Sequence, residues 1–356
     1  MAQKEQEILV SSGAGLGAAV GVEGEGGGPE YGDEEAVRAR GYWELVWRRF
    51  RRDKVAIASG IFIILLVLVA FVGAPIAKHF VGHGPDDIFV GTDAVDSVSL
   101  LPANPWTHFD NIYTEQRNVL VLGAANRLGQ DEFLRLLYGA RVSLEVALLS
   151  TFGVMVIGVI LGSIAGYFRG WSDTIISRIT EVTMAFPLLL FIVALAATVG
   201  PQLDNITFGG LFPNGVVTLV LIFTIFGWFY PARIMRAQVL SIREKEYIEA
   251  ARMIGASDSR IIRSHVLPHL IAPMIVYSTL IVASYVLFEA GLSFLGLGIK
   301  PPTASWGNLL SDAPQYYTTR PLLMVWPGLA VLLTTLAFNL LGDGLRDSFD
   351  PRSASR

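Results

Sequence analysis

The 23 residues EYIEAARMIGASDSRIIRSHVLP, positions 246–268, are polar and helix-forming in a chain that is otherwise mostly apolar. Just upstream, Ser241 and Glu244 have the spacing of a capping box, in which a hydroxyl and a carboxylate satisfy two free N–H groups at a helix start; this predicts a helix over 242–254. Gly255 stands where a helix ends in a left-handed residue, a conformation open to glycine because it lacks a Cβ. Ser257 is placed to cap a second helix, and Pro268, with no N–H to donate, marks a change of direction into the next segment. The expectation is helix, tight turn, helix. On the first helix Tyr247, Ala250, Ala251 and Ile254 share one stripe, and its alanines would let another surface come close. The spacing fits two readings equally: a loop helix lying on its own bundle, or one that docks to a separate protein.

The surrounding chain settles the class. Hydrophobic residues make up 52%, charged residues only 16%, and the mean hydropathy is +0.51, against roughly 25% charged in soluble domains. Crossing about 30 Å of hydrocarbon takes roughly 20 apolar helical residues, and six such runs occur, at 55–77, 146–168, 182–200, 215–232, 266–288 and 321–342. Trp228 and Pro231 crowd the end of the fourth. The first run begins at residue 55 and is a full span, not the short apolar core of a signal peptide. With no cysteine in the sequence, disulfides, cysteine-ligated metals and thiol catalysis are excluded.

Lys and Arg favour the cytoplasmic side of short loops. If the N-terminus is inside, segments 1–54, 169–181, 233–265 and 343–356 lie inside and hold 20 of the 27 basic residues. Both termini and the 241–268 loop are therefore expected in the cytoplasm. Residues 1–41, rich in Gly and acid, read as a disordered cytoplasmic tail. In GYWELVWRRFRRDK, starting at 41, Trp43, Val46, Trp47 and Phe50 recur at helical spacing between Arg48, Arg49, Arg51 and Arg52. This reads as an interfacial amphipathic helix leading into the first span, together 42–77; a basic flank that only sets topology draws on much of the same evidence. Residues 78–140 form an extracytoplasmic insert, longer than an ordinary connection. A five-helix core over 141–345 and a short cytoplasmic tail at 346–356 complete the chain.

Several chemistries are disfavoured. None of the five lysines sits in a GxxxxGK[ST] phosphate loop, so ATP-driven transport would need a partner to hydrolyse the nucleotide. Ion-coupled transporters keep ionisable groups near the bilayer midplane, whereas Glu145, Glu181 and Glu289 fall near span ends. HExxH is absent, and His265 and His269 have no acidic neighbour in sequence, so no catalytic residue, metal or cofactor is assigned to this chain. Gly158, Gly162 and Gly166 make two consecutive GxxxG steps, a helix-packing pattern in lipid. Ser278, Thr279, Ser284, Thr334, Thr335 and Asn339 serve equally as pathway lining or as interhelical hydrogen-bonding groups.

The pattern Glu249-Ala250-Ala251, Gly255, His265, Leu267, Pro268 resembles the EAA signature of permease subunits of binding-protein-dependent ABC importers. Three further stretches, LGQDEFLRLLYGARVSL (128–144), EAGLSFLGLGIKPPTASWGNLL (289–310) and FNLLGDGLRDSFDPR (338–352), resemble the C-type permease of dipeptide and oligopeptide importers. Within the first of them, Gln130 and Leu134 stand where that family usually has Arg and Ser. The resemblance spans about 42–352. It implies an all-α polytopic membrane protein of the type I ABC importer permease kind, with six transmembrane helices, and a function as half of a pathway for di- or oligopeptides in a bacterial cell membrane. It also implies that Tyr247, Glu249, Ala250, Ala251, Gly255, His265, Leu267 and Pro268 form the coupling joint to a cytosolic ATPase. The implied partners are a second homologous permease, one or two ATPase subunits, an extracytoplasmic peptide-binding protein, the peptide and the bilayer, with no nucleic acid. A related importer for nickel or another small solute is the alternative within the superfamily, and an ion-coupled secondary transporter the alternative outside it.

Overall fold

The computed structural model describes residues 42–114, 117–203 and 206–350. The tail assigned to 1–41 and the last six residues lie outside the described residues. Tyr42–Phe50 forms the short helix α1 expected before the first span. Val46 is its buried residue, the Trp43 ring meets Phe349 edge-on at 6.1 Å, and Arg49 Nη1 donates to the Asp350 carbonyl at 2.6 Å, so α1 rests on the end of the last helix. Asp53 then starts α2 (Lys54–Leu68), its Oδ1 accepting from the amides of Val55 and Ala56 at 2.9 and 3.0 Å. A π-helical turn, Val69–Gly73, carries α2 into α3 (Ala74–Val81) as one span.

The insert is folded. Strands β1 (Thr107–Asp110) and β2 (Arg117–Leu120) pair antiparallel, with His108 opposite Val119. Phe89, Phe109 and Leu120 close a small core with the two alanines Ala94 and Ala124. The buried His83 ring stands edge-on to Phe89 and Phe109 at 5.0 and 5.7 Å. Each buried Phe contributes about 2 kcal/mol of transfer free energy, enough for a small core to order the subdomain once both its ends are anchored.

The longest helix, α4 (Glu132–Phe168), contains 37 residues and so extends about 55 Å. It exceeds the apolar run 146–168 because its first turns carry Arg135, Arg141 and Glu145. The third and fourth spans are broken rather than continuous. Pro187 separates α5 (Gly170–Met184) from α6 (Leu188–Thr198) with a bend of 83°, and α8 (Val216–Gly227) meets α9 (Phe229–Arg243) at 42°, where Trp228 and Pro231 crowd the chain. The single turn α7 (Gly200–Leu203) follows α6. Four long apolar helices, together with these two bent pairs if each counts as one span, make six segments long and apolar enough to cross a membrane.

After α9 come α10 (Glu246–Met253) and α11 (Asp258–Ile261), then a π-helical turn, Ile262–Val266, and α12 (Leu267–Phe294). The short helix α13 (Trp306–Asp312) and the final helix α14 (Leu322–Phe349) complete the chain. Glu289 lies near the end of α12 and is fully buried. Its oxygens accept from Ser143 Oγ at 2.6 Å and Ser293 Oγ at 2.7 Å, while Ser293 Oγ also takes the Ile299 amide at 2.9 Å, fastening the loop before α13 to α4.

The GxxxG pattern is a packing face. A Cβ on Gly158 would stand 2.6 Å from Pro231 Cβ, one on Gly162 2.5 Å from the Ala232 carbonyl oxygen, and one on Gly166 2.8 Å from Val239 Cβ. Backbone meets backbone along the whole α4–α9 contact. Of the candidate pathway hydroxyls, those of Ser278, Thr279 and Ser284 donate to carbonyls three or four residues earlier in α12, whereas the buried hydroxyls of Thr334 and Thr335 have no hydrogen-bond partner among the described residues.

Candidate coupling site

At the foot of α9 the chain makes the expected hairpin, with different boundaries. Ser241 lies within the last turns of α9 and Glu244 just past its end, so the predicted capping box does not form. Glu244 instead pairs with Arg169 at the end of α4. That long-range ion pair accompanies a break at Lys245, an extended residue with φ −82° and ψ 141°, and α10 begins afresh at Glu246. Glu249 consequently falls in the first turn of α10, where its charge complements the helix dipole.

Gly255 is left-handed, with φ +83°, and an added Cβ there would meet nothing within 4 Å. The turn therefore needs glycine for its backbone alone. Ser257 occupies the capping position of α11 without a side-chain cap bond. Pro268 does not turn the chain: Asp258–Phe294 is one continuous 37-residue span. The π-helical turn accommodates the proline, because the Leu267 amide bonds the Ile262 carbonyl five residues back, a wider step than the regular helix makes.

The stripe on α10 divides. Ile248 is fully buried and Ala251 nearly so, both in the apolar cluster with Val239, Ile261 and Val266. Tyr247, Glu249 and Ala250 face outward, and Met253 and Ile254 are 83% and 85% exposed. Tyr247 leans along the second arm, stacked on His269 at 5.8 Å and 6.2 Å from the half-buried His265 ring. His269 Nδ1–H donates to the His265 carbonyl at 2.6 Å. Leu267 is half-buried and Pro268 exposed. The structure thus brings all eight residues of the signature to one hairpin, with Ala251 on the inward side.

Ile248, Tyr167, Arg252 and Asp258 complete the hairpin and lie outside the signature. A lone Ile among charges is a weak periodic signal, and Tyr167 belongs to a different span. Its hydroxyl donates to Asp258 Oδ1 at 2.7 Å, and the guanidinium carbons of Arg252 and Arg243 lie 5.2 and 5.9 Å from its ring centroid.

The candidate crossing segments with a polar hairpin between the fourth and fifth define a multi-pass membrane protein. The chain belongs to the family of binding-protein-dependent transport system inner membrane components, whose model matches residues 158–355. The N-terminal TM domain of oligopeptide transport permease C matches residues 41–101. Similar curated proteins include the glutathione transport system permease protein GsiD of Pectobacterium atrosepticum, 36% identical over 313 residues covering 88% of this chain and 92% of that one. The dipeptide transport system permease protein DppC of Alkalihalophilus pseudofirmus is 34% identical over 324 residues, covering 90% and 94%. Among solved structures, an inward-facing conformation of the MetNI methionine ABC transporter aligns with TM-score 0.46 and 18% identity over 61% of this chain and 96% of that chain.

Proposed function

We propose that this chain is one of two permease subunits forming the translocation pathway of an ATP-driven importer of di- or oligopeptides, and that the 246–268 hairpin seats on a cytosolic ATPase. The observation that carries the coupling role is the two-sided construction of α10. Ile248 and Ala251 anchor it to the bundle, while Tyr247, Glu249, Met253 and Ile254 present an apolar and acidic surface to the outside. A loop helix with no partner has no reason to expose Met253 and Ile254 next to each other at its tip. The excess of Lys and Arg on the hairpin side supports a cytoplasmic location for that side and for both termini. ATP hydrolysis then belongs to the partner, and a peptide-binding protein delivers substrate on the opposite face. Peptide as the cargo follows the names of the dipeptide and glutathione permeases to which the chain is similar.

The test is retention of the ATPase during purification of the assembled transporter. Glu249→Lys reverses the outward charge and Gly255→Asp forces a Cβ into a left-handed turn at about 1 kcal/mol, tilting the second arm. Both variants insert normally but release the ATPase and lose uptake of labelled dialanine. A loss of about 0.3–1 kcal/mol from the α10 dipole is the whole effect of Glu249→Lys if the charge serves only its own helix; in that case the ATPase stays bound, and the coupling assignment fails.

A further inference from the structure

Contact between α10 and the bundle through Ile248 and Ala251 is apolar, and apolar contact has no direction. It keeps the hairpin in place without fixing how the hairpin and the bundle move together. Directional contacts at this end of the molecule converge on Tyr167, one residue from the end of α4. Arg243 comes from the end of α9, Arg252 from α10 and Asp258 from the first residue of the second arm. Both arms of the hairpin, through Arg252 and Asp258, therefore meet the end of α9 at one phenol that is only 3% exposed. The neighbouring Arg169–Glu244 pair joins the same elements, but its side chains are 44% and 68% exposed, and exposed pairs hold little.

What the phenol receives, α4 can carry. Gly158, Gly162 and Gly166 set α4 against α9 at backbone distance, so the two helices respond as one body. At its far end, about 55 Å away by helix rise, α4 is tied to the insert through Asp131, which accepts from the Phe133 amide at 2.8 Å and lies 3.0 Å from His83 Nε2. Packing alone does not account for Tyr167. A phenylalanine would fill the same space, and neither an acceptor for the hydroxyl nor two guanidinium groups over the ring would be needed.

We infer that Tyr167 is a positioning residue of the transport cycle, the receiver through which displacement of the hairpin passes into α4 as a rigid movement. This rests on the coupling reading above and adds to it the path taken inside the chain.

The assembled transporter tests it, with the ATPase and second permease free of cysteine and nitroxide labels at Ser259→Cys and Phe152→Cys, both exposed positions in a chain that has no native cysteine. With Tyr167 present, the distance between labels is a single narrow peak that is the same without nucleotide and when trapped with ATP and vanadate. Tyr167→Ala loses the single peak in the trapped state while the ATPase stays bound, and dialanine uptake per ATP falls about tenfold. Tyr167→Phe keeps the ring beneath both arginines and loses only the hydroxyl, so it falls between the two; it decides the matter alone if the alanine variant does not fold, since wild-type behaviour in Tyr167→Phe would then overturn the inference. An unchanged peak and unchanged uptake per ATP in Tyr167→Ala overturn it, and so does release of the ATPase, which would mean that the phenol shapes the docking face. A separate variant labelled only at Met253→Cys reports on the coupling reading: a label as mobile with the ATPase as without it removes the docking site, and with it this inference.

Discussion

The two ends of α4 are held in opposite ways. At the insert end, Asp131 and Arg135 are buried and fastened to several partners. Arg135 Nη1 donates to Asp86 Oδ1 at 3.1 Å, to the Pro302 carbonyl at 3.2 Å and to the Pro85 carbonyl at 3.4 Å. The insert, the loop before α13 and α4 are thereby locked at one point. At the hairpin end the contacts reach a single ring, from a hairpin whose outer face is exposed. Buried, multiply bonded charge gives a fixed joint because any displacement of Arg135 leaves acceptors from several segments unpaired. Contacts that converge on one phenol tie the hairpin to α4 while its outer face stays free, which suits a joint that must move together with α4 without separating from it.

Removing the fixed joint gives the largest effect expected here. Arg135→Leu removes the donor that holds the half-exposed Asp86 carboxylate and leaves the Pro85 and Pro302 carbonyls without it, a loss of about 3 kcal/mol for a group of charge-assisted hydrogen bonds. It should lower the apparent melting temperature of the purified protein and speed hydrogen exchange through 83–130. Exchange as slow as in the native chain would show that the insert stands without α4 and that the contrast between the ends is only apparent.

The next effect tests the body between the joints. Gly162→Ala drives a Cβ to 2.5 Å from the Ala232 carbonyl oxygen and 2.9 Å from Met235 Cβ, an overpacking loss of about 1–3 kcal/mol. Gly291→Ala meets nothing within 4 Å and its φ lies outside the left-handed range, so on the helix α12 it should be neutral or slightly stabilising. Equal melting temperatures for the two variants would remove the claim that α4 and α9 are welded.

The hairpin end was the more legible of the two in sequence, up to a limit. Gly255 and the GxxxG steps are local signals, and each stands where its chemistry requires. The boundary of α10 was not legible, because it coincides with the Arg169–Glu244 contact between residues 75 apart; the inward side was not legible either, since it pairs Ala251 with Ile248, a residue outside the assigned stripe. Pro268 misled for a related reason, since its missing donor is absorbed by a π-helical turn that has no simple sequence mark. At the insert end, Gln130 looked like a departure from a family pattern. In the structure its Nε2 donates to the Asp86 carbonyl at 3.1 Å, and its Oε1 accepts from Asn126 Nδ2 at 2.9 Å. Hydrogen bonds that close over 44 residues cannot be seen in a periodicity, and the bend at Pro187 was visible only as a proline within a run otherwise long enough to cross.

The smallest effect separates the charges around Arg135 from one another. Asp312 follows the fixed joint in α13, and burial raises its pKa above the usual 3.8, opposed by Arg135 and by a hydrogen bond with Asn126. Burial outweighs the cation, so the folded protein holds the proton more tightly than the unfolded chain does. A carboxyl whose folded pKa is raised supports the fold fully below its unfolded value and loses that support as pH rises through the folded one. At neutral pH the Asp312 charge therefore works against the fold. Asp312→Asn keeps the size and a hydrogen-bonding partner for Asn126, and it should leave the protein as stable as the native chain or more so at pH 7, by less than about 1 kcal/mol because the group is only partly buried. The advantage should vanish near pH 4, where the native carboxyl recovers its proton. Melting temperatures of both proteins at the two pH values measure it, and a variant equally destabilised at both would place Asp312 among the partners that Arg135 needs, making the joint a larger ionic network than its hydrogen bonds alone describe.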